Sequence, residues 1–147
     1  MSWLKAMREK EPSEPDNPIG TVVIGTLEPD IMTTAKDMVR RSLKVAQFKT
    51  VDVGRGVSAT TFASKAKEEN ADIIVVSVLY SKAKKNLPEL ISALELEGLE
   101  DKIAIMIGGA AVTKEDADNL GVLFGETRED AVVLAKNVMV QKRNISQ

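Results

Sequence analysis

Histidine and cysteine are both absent from the 147 residues of this chain. Those side chains carry most nucleophile–base pairs, zinc and iron–sulfur ligands and all disulfides, so a Ser-His-Asp or Cys-His catalyst, an ordinary zinc site and a disulfide scaffold are excluded. Aromatic residues make up 3%, which leaves little on which to stack a flavin ring. A surplus of one charge is also missing. Lys+Arg number 20 against 22 Asp+Glu, too balanced to neutralise phosphates along a duplex, so no nucleic-acid partner is expected. Long apolar runs are lacking too. Ile73 to Val76 is among the longest strongly apolar stretches, far short of a bilayer span, and the first twenty residues hold no signal-peptide core. The expectation is a soluble cytoplasmic protein with no membrane partner.

What is present is a 44% apolar composition, enough for one ordinary core. Residues 1–19 hold Pro12, Pro15 and Pro18 among polar side chains and read as a poorly ordered lead-in, with Trp3, Leu4 and Met7 as an apolar patch. From residue 20 to 147 a regular alternation sets in. Thr21–Thr26, Thr50–Val53, Ile73–Leu79, Ile103–Ile107 and Val122–Phe124 read as strands. Between and after them, Ala59, Phe62, Ala63 and Ala66 fall at helical spacing, as do Leu87, Leu90, Ile91 and Leu94, and Ala131, Leu134, Ala135 and Val138. Ser58, Asn86, Thr113 and Thr127 stand where N-cap oxygens belong, and Pro88 suits a first helical turn. Strands as apolar as IIVVSVL need cover on both faces. The predicted class is α/β: a five-stranded, doubly wound parallel sheet, Rossmann-like or flavodoxin-like, in one domain.

In such a sheet ligands bind beyond the carboxyl ends of the strands, near the point where strand order reverses. That limits the search to Leu27–Ala35, Ser77–Lys82 and Gly108–Val112. Singly, none of these segments is specific. Gly108 and Gly109 fit a tight turn as well as a close ligand approach, Ser77 fits a local hydroxyl–carbonyl bond, and Asp30 fits a loop acceptor. Glu28 and Asp30 form the one acid pair at a strand end, and Gly54-Arg55-Gly56 reads as a turn. A phosphate-accepting aspartate is missing from the end of strand three, and no Gly-x-Gly-x-x-Gly follows strand one. The basic cluster Lys82, Lys84 and Lys85 reads equally as a solvated loop or as a contact for a phosphate or an acidic partner.

Taken together, the spacing resembles a family. Gly25 to Lys36 is similar to the first loop of the cobalamin-binding domains of corrinoid proteins and methionine synthase, whose motif is Asp-x-His-x-x-Gly. Forty-one residues separate Ala35 from Ser77-Val78-Leu79, matching the family's Ser-x-Leu, and 28 more lead to Gly108-Gly109, matching its Gly-Gly. The resemblance runs from about Gly20 to Val140. It implies cobalamin as cofactor, with a site made of Asp30, Ile31, Met32, Thr33, Thr34, Ala35, Ser77, Leu79, Gly108, Gly109 and Ala110. Ser77, Leu79, Gly108 and Gly109 would line a slot for the nucleotide tail.

The departures bear on the chemistry. The family's histidine, a lower cobalt ligand, is Met32 here, and the motif glycine is Ala35. Asp30 is kept, but the histidine it would orient is gone. The implied mode is tail-inserted and His-off, with Met32 an apolar floor below the cobalt more than a ligand, a thioether being a weak donor to Co(III); the alternative is base-on binding, the cofactor keeping its own benzimidazole on cobalt and the slot standing empty. The implied role is a corrinoid or methyl carrier for methyltransferases, aided by corrinoid-reactivating proteins, and not a complete enzyme. Family methyl carriers place a helical bundle before this domain to cap the ring, and nineteen residues are too few for one. A partner or a second copy of the chain is expected to cover that face. The rival reading is a degenerate paralogue that no longer binds cobalamin and serves as a binding or regulatory module.

Overall fold

The computed structural model describes residues 11–146; Trp3, Leu4 and Met7 lie outside the described residues. Strands β1 (Thr21–Leu27), β2 (Lys49–Val57), β3 (Ile73–Ser77), β4 (Ala104–Gly108) and β5 (Leu123–Phe124) alternate with helices α1 (Thr34–Val45), α2 (Ala59–Glu68), α3 (Leu87–Leu96), α4 (Lys114–Leu120) and α5 (Arg128–Ser146). A 3-10 turn, Ser81–Asn86, leads into α3. All pairings are parallel, in the order β2-β1-β3-β4-β5. The predicted class is the observed one, and the order reverses between β1 and β3.

Alternation along the strands sends successive side chains to opposite faces. Val23, Ile74, Val76 and Ile107 meet Phe62, Ala66, Leu90 and Leu94 of α2 and α3, with Ala117 of α4 in the same cluster. Val22, Ile24, Ile73, Val75 and Met106 meet Leu43 of α1 and Ala131 and Ala135 of α5 on the other face. Each fully buried Leu, Ile, Val or Phe contributes roughly 1.5–3 kcal/mol, so the two clusters carry most of the stabilisation.

Three of the expected caps form. Ser58 accepts from the Thr61 N–H, Thr113 and Asp116 make a reciprocal capping box, and Thr127 and Asp130 exchange the same pair of bonds. Asn86 does not cap; its side-chain amide donates to the Glu28 carbonyl. Strand β2 runs past Val53 through Gly54, Arg55 and Gly56, which were expected to turn. Gly54 and Gly56 take φ of 97° and 62°, and the register against β1 shifts there twice, so the strand bulges and continues.

The end of the lead-in is tied down. The Ile19 N–H donates to the Gln47 carbonyl, and Glu11 pairs with Arg40, Arg41 and Lys44 of α1 while Glu14 pairs with Lys44. The Arg40 guanidinium, hydrogen-bonded to Glu11, holds that carboxyl down at about 2.

Candidate functional site

The carboxyl end of the sheet, on the α1/α5 face, opens into a cavity of about 430 Å³, within the roughly 300–1,000 Å³ range of small-molecule sites. Its base is Ile24, Val75 and Met106. One wall is the start of α1 (Ala35, Lys36, Met38, Val39), and the other runs from Gly125 through Thr127 to Ala131 at the start of α5. Ser77 and Gly108 are register partners at the ends of β3 and β4, which sets them side by side on the cavity.

Ser77 is 6% exposed, and its Oγ is buried with no hydrogen-bond partner among the described residues. Such a group costs the protein its desolvation and marks a place where something else supplies the bond. Beside it, a Cβ on Gly108 would stand 2.5 Å from the Gly125 carbonyl oxygen, so only glycine lets the α5 wall come this close. Gly109 has φ of 112°, and a Cβ there would lie 2.4 Å from the Val78 carbonyl oxygen. This glycine is required by the turn itself, so a valine at 109 breaks the turn before it fills any slot.

Asp30 is fully buried and does not face the cavity. Its Oδ1 accepts from the Met32 N–H at 2.9 Å, and its Oδ2 from the Leu79 and Tyr80 N–H groups at 2.7 and 3.0 Å. Its carbonyl accepts from the Thr26 hydroxyl and the Gly56 N–H. The acid pair imagined with Glu28 does not form, because Glu28 is exposed while Asp30 is spent on backbone amides.

Of the other expected residues, Ala35, Ser77, Gly108 and Gly109 line the cavity, and Thr33, Thr34, Leu79 and Ala110 do not. Ile31 and Met32 are 60% and 52% exposed and do not line the cavity. Leu79 acts through its N–H toward Asp30. Lys84 of the basic cluster is engaged by Asp116 of α4 at 3.0 Å, and Lys82 lies 5.9 Å from the Tyr80 ring centroid.

The sequence reading missed Lys36 and the α5 wall. Lys36 is buried at the cavity edge, with its Nζ 2.7 Å from Asp52 and 3.0 Å from Asp37. Burial pulls its ammonium pKa down, and the two carboxylates more than offset that, leaving it raised. The α5 wall had a signal, since Thr127 follows the carboxyl end of β5, a strand end left out of the search. Among the described residues no cluster of three or more His, Cys, Asp or Glu could hold a metal ion, and no helix is long and apolar enough to cross a membrane.

The B12 binding domain family matches residues 20–135. The chain is 40% identical over 141 residues to trimethylamine corrinoid protein 1 of Methanosarcina acetivorans, covering 95% of this chain and 65% of that protein. Two further trimethylamine corrinoid proteins match over 59% and 53% of their length, so the chain spans about three fifths of these relatives. Among solved structures, the monomethylamine corrinoid protein of Methanosarcina barkeri superposes with a TM-score of 0.79 at 25% identity, covering 89% of this chain and 62% of that one. A methanol:cobalamin methyltransferase complex from the same organism gives 0.80 at 24% identity, over 93% of this chain and 52% of that one, a likeness of fold.

Proposed function

The chain belongs to the B12 binding domain family, whose cofactor is cobalamin, and from that premise we propose that it holds the corrinoid by its nucleotide tail, with no histidine below the cobalt, and carries it for partner methyltransferases. The observation that carries this reading is Ser77: a buried hydroxyl without a partner, on an apolar cavity of about 430 Å³, beside a glycine at the same register. The residues present fit the tail. Ile24, Val39, Val75, Met106 and Ala131 supply apolar walls for a flat base, and the Ser77 hydroxyl supplies one polar anchor. Gly108 lets the Gly125 backbone pack close beside that anchor.

Ile31 and Met32, exposed on the loop after β1, would offer the ring an apolar seat, with Met32 a neighbour of the metal and not a strong ligand. When bound, the corrinoid supplies a cobalt centre that takes up and gives up a methyl group; the chain contributes binding and orientation. The names of the relatives, trimethylamine and monomethylamine corrinoid proteins, support a methylamine-linked role; methyltransferases and corrinoid-reactivating proteins are the partners this reading calls for.

The test is a spectroscopic titration with cobalamin, followed by desalting, with cobinamide as a tail-less control. Co-elution without the base-on bands is expected. Ala35→Leu, which projects new carbons into the cavity, should weaken cobalamin at least tenfold and leave cobinamide nearly unchanged. Met32→His should shift the bound spectrum. A chain that elutes colourless, or a base-on spectrum indifferent to Ala35→Leu, would overturn the reading in favour of a module that has lost the cofactor.

A further inference from the structure

Asp30 is the one fully buried acidic residue described, and no cation pairs with it among the described residues. An isolated buried carboxylate is costly unless hydrogen bonds replace its hydration. Three backbone N–H groups do so, one from the loop after β1 and two from the loop after β3. Its own carbonyl takes a fourth N–H, from Gly56 at the bulged end of β2. One residue thus gathers the three segments that meet at the reversal of strand order. Two of them run directly into the cavity lining: the loop after β1 leads to Ala35 and Lys36, and the loop after β3 follows Ser77.

We propose that Asp30 is a positioning residue, a latch that holds the loops after β1 and β3 as one unit, so that ligand affinity depends on its charge although it lines no part of the cavity. The carboxylate is required because all three donors point at it. An asparagine of the same shape can satisfy the Met32 N–H or the pair from Leu79 and Tyr80, but its NH₂ then faces the remaining donor. Loss of the latch frees the Leu79–Tyr80 segment, which directly follows Ser77 and Val78, so the anchor at the base of the cavity loses its support. The affinity half of this proposal rests on the corrinoid reading above; the latch itself does not.

The two halves separate in one experiment. Amide hydrogen exchange on the full chain without cofactor is followed at Met32, Leu79 and Tyr80, and cobalamin affinity is measured by titration. In the unmodified chain the Leu79 and Tyr80 amides should exchange at least tenfold more slowly than unbonded loop amides. Asp30→Asn should abolish that protection, leave the β1 and β3 amides protected, and weaken cobalamin at least tenfold. Glu28→Gln, an exposed carboxylate in the same loop, should change neither. Fast exchange at Leu79 and Tyr80 in the unmodified chain would overturn the latch. Freed amides with unchanged cobalamin affinity would overturn its role in binding. Where the asparagine variant does not fold, the unmodified chain still decides the latch. Thr26→Val, which removes the hydroxyl that donates to the Asp30 carbonyl and accepts from the Gly56 N–H, then decides binding, with weakened affinity expected and unchanged affinity overturning it. An unmodified chain that protects these amides but takes up no cobalamin would retain the latch and remove the corrinoid reading.

Discussion

The unpaired hydroxyl of Ser77 sets stability against binding at a single atom. In the empty chain it is a desolvated group with nothing in return, so Ser77→Ala should stabilise the apo form by about 1 kcal/mol, raising its melting temperature by roughly 2–4 °C. The same change should weaken cobalamin, because the tail loses its polar anchor. Thermal melts with and without cofactor check both signs, and an alanine variant neither more stable nor weaker in binding would show the hydroxyl idle. Gly109 presents the opposite case. With φ of 112° and a Cβ that would sit 2.4 Å from the Val78 carbonyl oxygen, Gly109→Ala should cost on the order of 2–3 kcal/mol, read as a lower denaturant midpoint in the cofactor-free chain. Both glycines were visible in the sequence, but their different jobs were not. A motif names residue types, while the distance from a hypothetical Cβ to a backbone oxygen exists only in three dimensions.

Helix α1 shows why one element escaped the periodicity reading. Its buried residues are Lys36, Leu43 and Lys44, so two of the three carry charge and the apolar stripe is made partly of lysine stems with their ammonium groups paired at the edge. Strand β2 was cut short at Val53 for a related reason, since Gly54 and Gly56 look like turn residues and the bulges that accommodate them leave no apolar signature. The lead-in strap over α1 makes a prediction. Glu11 titrates near 2 when folded against an ordinary value near 4.3, so it stabilises while ionised. Its benefit is complete above the ordinary value and fades as pH falls from there toward 2. The pair is partly solvated and screened, which limits the benefit to under about 1 kcal/mol. Melting curves of Glu11→Gln should therefore run slightly below the unmodified chain at pH 6–7, draw closer below pH 4 and converge with it only as pH approaches 2. A gap that widens in acid would contradict the strap.

At the scale of the molecule the β–α alternation was readable because a parallel sheet buried on both faces demands runs such as Ile73–Val76 and helices to cover them. The site was legible where register did the work: Ser77 and Gly108 are far apart in the chain and adjacent in the sheet. Its α5 wall was not, because nothing local says that Gly125 to Ala131 folds back over the carboxyl ends. A ligand that binds only the folded chain stabilises it by mass action, about 2.7 kcal/mol at one hundred times its dissociation constant. Cobalamin should accordingly raise the melting temperature by several degrees, more than cobinamide does at equal concentration, and equal shifts would place the affinity outside the tail. The division of the core into two clusters also divides the hazards of mutation. Among the described residues, α2, α3 and α4 contribute nothing to the cavity lining, whereas α1 and α5 form its walls. Damage such as Phe62→Ala, at about 3–5 kcal/mol, would thin the folded population and leave each surviving molecule a good receptor. Damage at Met106 reshapes the receptor in every copy. One face of the sheet governs abundance, and the other governs grip.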